Sequence, residues 1–248
     1  MAGHLVSMRR GKSSLQPSRR QDRPKQKGFP RSRMGEKKAA ETGRLRRRLE
    51  TDGYRVLSRR FYLRSPGEVA RAILGKYLVR SMDGTLLVGR IVEAEAYYGR
   101  DDPASHAFRG ITGRNREMFA MGGTAYIYLA YGNHFLINIV TGRVGVPGAV
   151  LIRALEPVQG MREMGRLRRT TDVSRLTNGP GRLTEALGIH GEDSGCDLTD
   201  SSILICRRIG ERSPDVAVSP RIGISRGKEF NERYYVPGNP FVSSKPNW

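Results

Sequence analysis

Residues 90–99 read RIVEAEAYYG, with two carboxylates and two phenols where an ordinary buried strand would carry more Val, Ile and Leu. Successive side chains of a strand point to opposite faces, so Glu93, Glu95 and Tyr97 share one side and Ala94, Ala96 and Tyr98 the other. The two acids then lie about 7 Å apart along the strand. A carboxylate beside a ring that excludes water has a raised pKa and can handle protons near neutrality, which suits acid or base chemistry. A solvent-facing strip of an amphipathic strand is the competing reading.

Arg153 interrupts the otherwise apolar run AVLIRA at 149–154. A charge in such a strand is rarely buried alone, so it asks for an acid, and Glu95 or Glu93 is the candidate. The runs TAYIYLA (124–130) and HFLINIV (134–140) alternate as strands and meet across Tyr131-Gly132-Asn133, a tight turn. Tyr126 and Tyr128 share one face of the first strand. Tyr131 sits at the tip, where an exposed aromatic on a basic protein suggests a wedge that enters the base stack from the minor groove. A surface ring folded back on its own chain is the plain alternative. His106 lies in a long loop, GRDDPASHAFRGITGRNREMF (99–119), and loops of that length inside a domain are usually functional or disordered. Cys196 and Cys206 lack a CxxC or a paired His, and no HExxH or phosphate-cradling loop occurs, so neither a metal nor a nucleotide cofactor is expected.

The elements that must position these residues follow from composition and punctuation. The net charge of +20 and a pI near 10.7 favour polyanionic partners. No apolar run reaches transmembrane length and the start lacks a secretory core, so an intracellular, soluble protein without membrane contact is expected. Residues 1–55 are rich in Lys, Arg, Ser, Pro and Gly and read as a disordered basic arm, with residues 56–248 as the folded domain. Order is expected from near Phe61. Ser65-Pro66-Gly67-Glu68 has the spacing of a capping box and Gly75 marks a helix stop. Tyr77–Val79 and Leu86–Tyr98 should pair about Asp83-Gly84. Pro157 should open a helix running to about Arg168, and Arg182–Leu187 a second one stopped by Gly188. Strands are expected at Ser202–Arg207, Val216–Ile224 and Arg233–Val236. The fold class is therefore α+β, a single domain on a mainly antiparallel curved sheet with packed helices and a protruding hairpin.

Taken together, RIVEAEAYYG (90–99), TGRNREMF (112–119), GTAYIYLAYGNHFLINIV (123–140), AVLIRALEP (149–157) and NGPGRLTEALGI (178–189) resemble the alkyladenine (3-methyladenine) DNA glycosylases of the mammalian type, over about Phe61 to Trp248. The resemblance implies a monofunctional enzyme of base excision repair. Such an enzyme flips alkylated purines out of duplex DNA, 3-methyladenine and 7-methylguanine first, with hypoxanthine and ethenoadenine as further candidates. It implies that Glu95 activates the attacking water and that Arg153 shares that water. Tyr97, His106 and Tyr128 would form the base-stacking pocket, Asn138 would crowd the exocyclic amine of unmodified guanine, and Tyr131 would intercalate. The implied partner is double-stranded DNA carrying damaged purines, bound by a monomer with no cofactor, wherever the genomic DNA lies.

The chemistry agrees. A lesion inside the stack cannot be reached without extrusion, which costs a few kcal/mol, less for a damaged base. A cationic purine stacks well on electron-rich rings and leaves readily. Two other classes remain to be separated from this one: a non-catalytic nucleic-acid binder, which leaves Glu95 and Arg153 without a purpose, and a carbohydrate hydrolase using Glu93 and Glu95 as an acid pair. Glu93 itself is either an orienting partner of the water site or a structural acid paired with an Arg.

Overall fold

The computed structural model describes Gly3, residues 33–130 and residues 132–243. In chain order the elements are α1 (Arg33–Thr51), β1 (Tyr54–Val56), α2 (Arg59–Tyr62), α3 (Pro66–Ile73), β2 (Tyr77–Met82), β3 (Thr85–Tyr97), β4 (Ala125–Ala130), β5 (His134–Val140), β6 (Ala149–Gln159), α4 (Met161–Arg168), α5 (Pro180–Ala186), β7 (Ile203–Arg208), β8 (Ala217–Ser219) and β9 (Arg233–Tyr235). The strands form a sheet in the order β1-β7-β2-β3-β6-β5-β4, with β9 added beside β3 and β8 beside β9, and every pairing is antiparallel. This is the α+β, single-domain architecture that the sequence pattern indicates.

Besides a small cluster of Ala107, Met118, Tyr126, Val140 and Ala149, two apolar clusters cover the sheet. The larger one collects Val69, Ala70 and Ile73 of α3 with Leu87, Ile91, Ala94, Ala96, Val150 and Ile152 of the central strands and Leu183 and Leu187 of the α5 region. The capping box forms as its spacing implies, with the Glu68 carboxylate accepting from the Ser65 amide at 3.0 Å, and it turns the apolar stripe of α3 onto the sheet. The smaller cluster joins Leu45 and Leu49 to Tyr54, Tyr77, Val79, Leu86, Val88 and Cys206.

That second cluster bears on the arm expected over 1–55. Residues Arg33–Thr51 are helical, and Leu45 and Leu49, four apart on one face, are buried against the sheet. Two leucines suffice there because β1 and β7 offer an apolar edge for them to cover. The rest of the expected arm, apart from Gly3 and the strand β1, lies outside the described residues.

Two further expectations are corrected. Pro157 does not open a helix. It lies within β6 opposite Gly89 at a register shift, where no ladder donor is demanded of it, and α4 starts after Gly160 turns the chain at φ 83°. The strand expected over Val216–Ile224 shrinks to Ala217–Ser219, because β8 has only the three residues of β9 to pair with.

The feature that positions the site is the crossing of β3 and β6. Their register shifts between Ile91 and Glu93 and again between Glu93 and Ala94, so Val92 on one strand and Arg153 on the other have no opposite number. Such bulges re-aim side chains and often stand beside active sites.

Candidate active site

Glu93, Glu95 and Arg153 converge on the face of β3 turned away from the larger core. Arg153 Nε donates to Glu93 Oε1 at 3.0 Å and Nη1 to Glu95 Oε2 at 3.2 Å. Both acids are completely buried and Arg153 is 7 % exposed. Arg233, opposite Glu95 on β9, donates to Glu93 Oε1 at 2.6 Å, so two buried anions meet two buried cations. Buried charges survive only when so paired. Burial alone would lower the Arg153 guanidinium, but the charges of Glu95 and then Glu93 more than reverse this and hold it above its ordinary value.

Glu95 has two further donors. The Ile222 amide reaches Oε1 at 2.8 Å and the Tyr97 hydroxyl reaches Oε2 at 2.8 Å. Burial first, then the Glu95 charge, push the Tyr97 phenol well above its usual pKa, so it remains a donor.

These groups back onto a cavity of about 1060 Å³, lined among others by Tyr97, His106, Tyr128, Asn138, Arg153 and Ile222. Its size is at the top of the range for small-molecule pockets, roughly 300–1,000 Å³. Glu95 is not itself on the wall. It sits one hydrogen bond behind it, through Tyr97, Arg153 and Ile222.

One side of the cavity is aromatic. The rings of His106 and Tyr128 meet edge to face at 4.6 Å, Tyr126 tilts on Tyr128 at 5.3 Å, and His106 Nδ1 lies 2.9 Å from the Tyr126 hydroxyl. Burial, then the Arg114 charge, lower the His106 pKa below 6.5, so the imidazole is neutral at physiological pH. Asn138, directly opposite Tyr126 across β4 and β5, donates to the Tyr126 carbonyl at 3.2 Å.

The mouth is framed by the β4–β5 hairpin through Leu129, Ala130, Asn133 and His134, and on the other side by residues 178–182. Arg114 ties the hairpin down by donating to the Leu129 carbonyl at 3.0 Å. Gly181 lets the start of α5 come close: a Cβ there would stand 2.9 Å from His134 Cβ. Tyr131, expected at the hairpin tip, lies outside the described residues.

Of the residues singled out in the sequence, Glu95, Arg153, Tyr97, His106, Tyr128 and Asn138 are thus brought to one cavity or immediately behind it. Glu93 is paired with Arg153 and Arg233.

Sequence reasoning missed a second buried pair. Arg221 grips Asp102 through both nitrogens at 2.6 and 2.8 Å, donates to the Ala96 carbonyl, and lies 4.7 Å from the centre of the Tyr97 ring. Asp102 in turn accepts from the amides of Tyr98 and Ala104. One ion pair therefore fixes both Tyr97 and the loop that carries His106. Asp102 was visible as an acid in a long loop, but nothing local announced a partner 119 residues away.

Among the described residues no group of three or more His, Cys, Asp or Glu converges as metal ligands would, and no helix is long and apolar enough to cross a membrane.

Comparison with known proteins gives a consistent result. The family model for methylpurine-DNA glycosylase matches residues 60–240. A protein of Carboxydothermus hydrogenoformans named "Putative 3-methyladenine DNA glycosylase" is 46% identical over 192 residues, 77% of this chain and 100% of that protein. Proteins of the same name from Chlorobium phaeobacteroides and Francisella tularensis are each 41% identical. They cover 76% and 72% of this chain and 96% and 93% of their own lengths, respectively.

Proposed function

The chain belongs to the methylpurine-DNA glycosylase family, and from that premise we propose that it extrudes alkylated purines from duplex DNA and hydrolyses their N-glycosidic bond with a water activated by Glu95, leaving an abasic site. The observation that carries this reading is Arg153, which lines a cavity large enough for an extruded nucleotide while it is hydrogen-bonded to the buried Glu95 carboxylate. A guanidinium there can hold the oxygen of a water whose proton faces the carboxylate.

The steps balance. The water oxygen bonds to the anomeric carbon, the bond to the purine nitrogen breaks, and its electron pair leaves with the base. The released proton goes to Glu95. A cationic alkylpurine departs neutral, which lets one carboxylate suffice. Each carboxylate oxygen offers about two acceptor positions. Among the described residues Glu95 Oε1 receives only the Ile222 amide, so it has room for the water once the entering nucleotide shifts the wall in front of it.

Tyr97, His106 and Tyr128 would stack on the extruded base, and neutral His106 adds no repulsion to a cationic one. Asn138 at the cavity wall would crowd the exocyclic amine of normal guanine. Tyr131 would fill the space that the base vacates. The position assigned to the acid carries Glu95 and not Lys, which supports a monofunctional hydrolase rather than a Schiff-base lyase. Residues 56–248 act as the catalytic domain of a monomer. The basic stretch before them adds salt-sensitive attraction to phosphates. Glu93 is unsuited to serve as a second catalytic acid, since its oxygens are taken up by Arg153, Arg233 and Ser243.

The test is to incubate the full-length protein with a duplex carrying one alkylated purine and to look for free base and an alkali-labile site. Release from that duplex and not from an unmodified one is expected. Intact alkylated DNA after prolonged incubation with excess protein would refute the reading.

A further inference from the structure

Ser243 lies beyond the 60–240 span of the family match, yet it reaches the buried charges. Its amide donates to Glu93 Oε2 at 2.7 Å and its hydroxyl to Glu93 Oε1 at 2.9 Å. Its carbonyl accepts from Arg233 Nη2 at 3.4 Å. The residue is itself buried and borders the cavity.

Glu93 therefore has four donors: Arg153 Nε and Arg233 Nε on Oε1 together with the Ser243 hydroxyl, and the Ser243 amide on Oε2. Three donors crowd onto Oε1, and among the described residues Oε2 has the Ser243 amide alone, so Ser243 supplies half of the donors that hold Glu93. Glu93 has no solvent exposure, so no bulk water stands ready to replace a lost donor. In such surroundings an under-satisfied anion pulls harder on the nearest cation. That cation is Arg153, whose other nitrogen holds Glu95.

We propose that Ser243 is a positioning residue for base release: by satisfying Glu93 it leaves the Arg153 guanidinium divided between the two acids, with Nη1 kept at Glu95. The C-terminal segment is then part of the catalytic machinery. This rests on the reading of Glu95 as the residue that activates water.

A consequence separates positioning from packing. Glu95 is faced by Arg153 from β6, by Arg233 from β9, by Tyr97 on its own strand and by Arg221 from the segment that follows β8, with Glu93 as the nearest like charge. Arg233 is committed to Glu93 and Arg221 to Asp102, so neither replaces Arg153 when it is drawn away. The loss then falls on base release and not on duplex affinity, and a side chain that restores the hydroxyl restores the rate.

The experiment compares the full-length wild type with Ser243→Ala and Ser243→Thr, measuring single-turnover base release from an alkylated duplex at saturating protein, with duplex affinity measured alongside. Ser243→Ala is expected to slow release by roughly ten- to a hundredfold at neutral pH, the loss of one hydrogen bond to a charged group. Duplex affinity stays within about twofold, and Ser243→Thr recovers the wild-type rate. An alanine variant with unchanged rate overturns the proposal. So does a loss shared by the threonine variant, or one matched by an equal loss of duplex affinity, since either marks Ser243 as packing only. If Glu95→Gln also retains base release, it is the functional reading that fails. If Glu95→Gln loses release while Ser243→Ala does not, only the inference about Ser243 falls.

Discussion

Along the first half of β3, Leu87 and Ile91 enter the larger core from odd positions while Leu86 and Val88 enter the smaller one from even positions. Along the second half, Ala94 and Ala96 enter the larger core from even positions, and the odd ones carry Glu93, Glu95 and Tyr97. The strand is continuous but its parity is reversed, and the reversal falls at Val92, the residue that the ladder with β6 skips. A one-residue slip exchanges the two faces of a strand. Without it, both acids would point into the apolar cluster. The bulge lets one strand be ordinary packing at one end and carry a buried cluster of charges behind the cavity at the other.

Deleting Val92 attacks this difference most directly. It restores simple alternation and drives Glu93 and Glu95 toward the core, so loss of the cooperative unfolding transition is expected by circular dichroism. Arg153→Met breaks only the second half. It leaves two buried carboxylates short of a cation, and a destabilisation of about 3–5 kcal/mol is expected in denaturant titration, together with loss of base release. Leu87→Ala damages only the first half. Truncating this fully buried side chain should cost about 2–5 kcal/mol, with the base-release rate per folded molecule unchanged at low denaturant.

The smallest expected effect concerns the rim of the site. The folded pKa of His106 lies below the 6.5 of a free imidazole, so protonation favours the unfolded state. Its contribution to stability is present above pH 6.5 and is lost as the pH falls through 6.5 toward the lower folded value. The free energy of unfolding, read by denaturant titration, should decline over that window, and His106→Gln should remove that part of the decline.

What could be read from the chain alone follows the same division. Alternation put Glu93, Glu95 and Tyr97 on one face and named an acid partner for Arg153, because those inferences are local to a strand. The bulge at Val92 was not legible, since an extra residue in a ladder exists only relative to its partner strand. The Asp102–Arg221 pair and the Ser243 contacts to Glu93 join residues 119 and 150 positions apart, and no periodicity reports such pairs. Pro157 misled because its usual place at a helix start is a statistical habit, whereas a register shift against Gly89 tolerates its missing donor. The helix α1 was hidden by composition: its two buried leucines are few against the arginines around them.

The most direct test of the account is single-turnover base release from an alkylated duplex by Glu95→Gln, with duplex affinity measured on the same preparation. Glutamine preserves the shape of the side chain but cannot accept the proton of the attacking water. The account predicts that release falls by about 10²–10⁴-fold while the affinity for DNA persists. Release at the wild-type rate from the glutamine variant would contradict it.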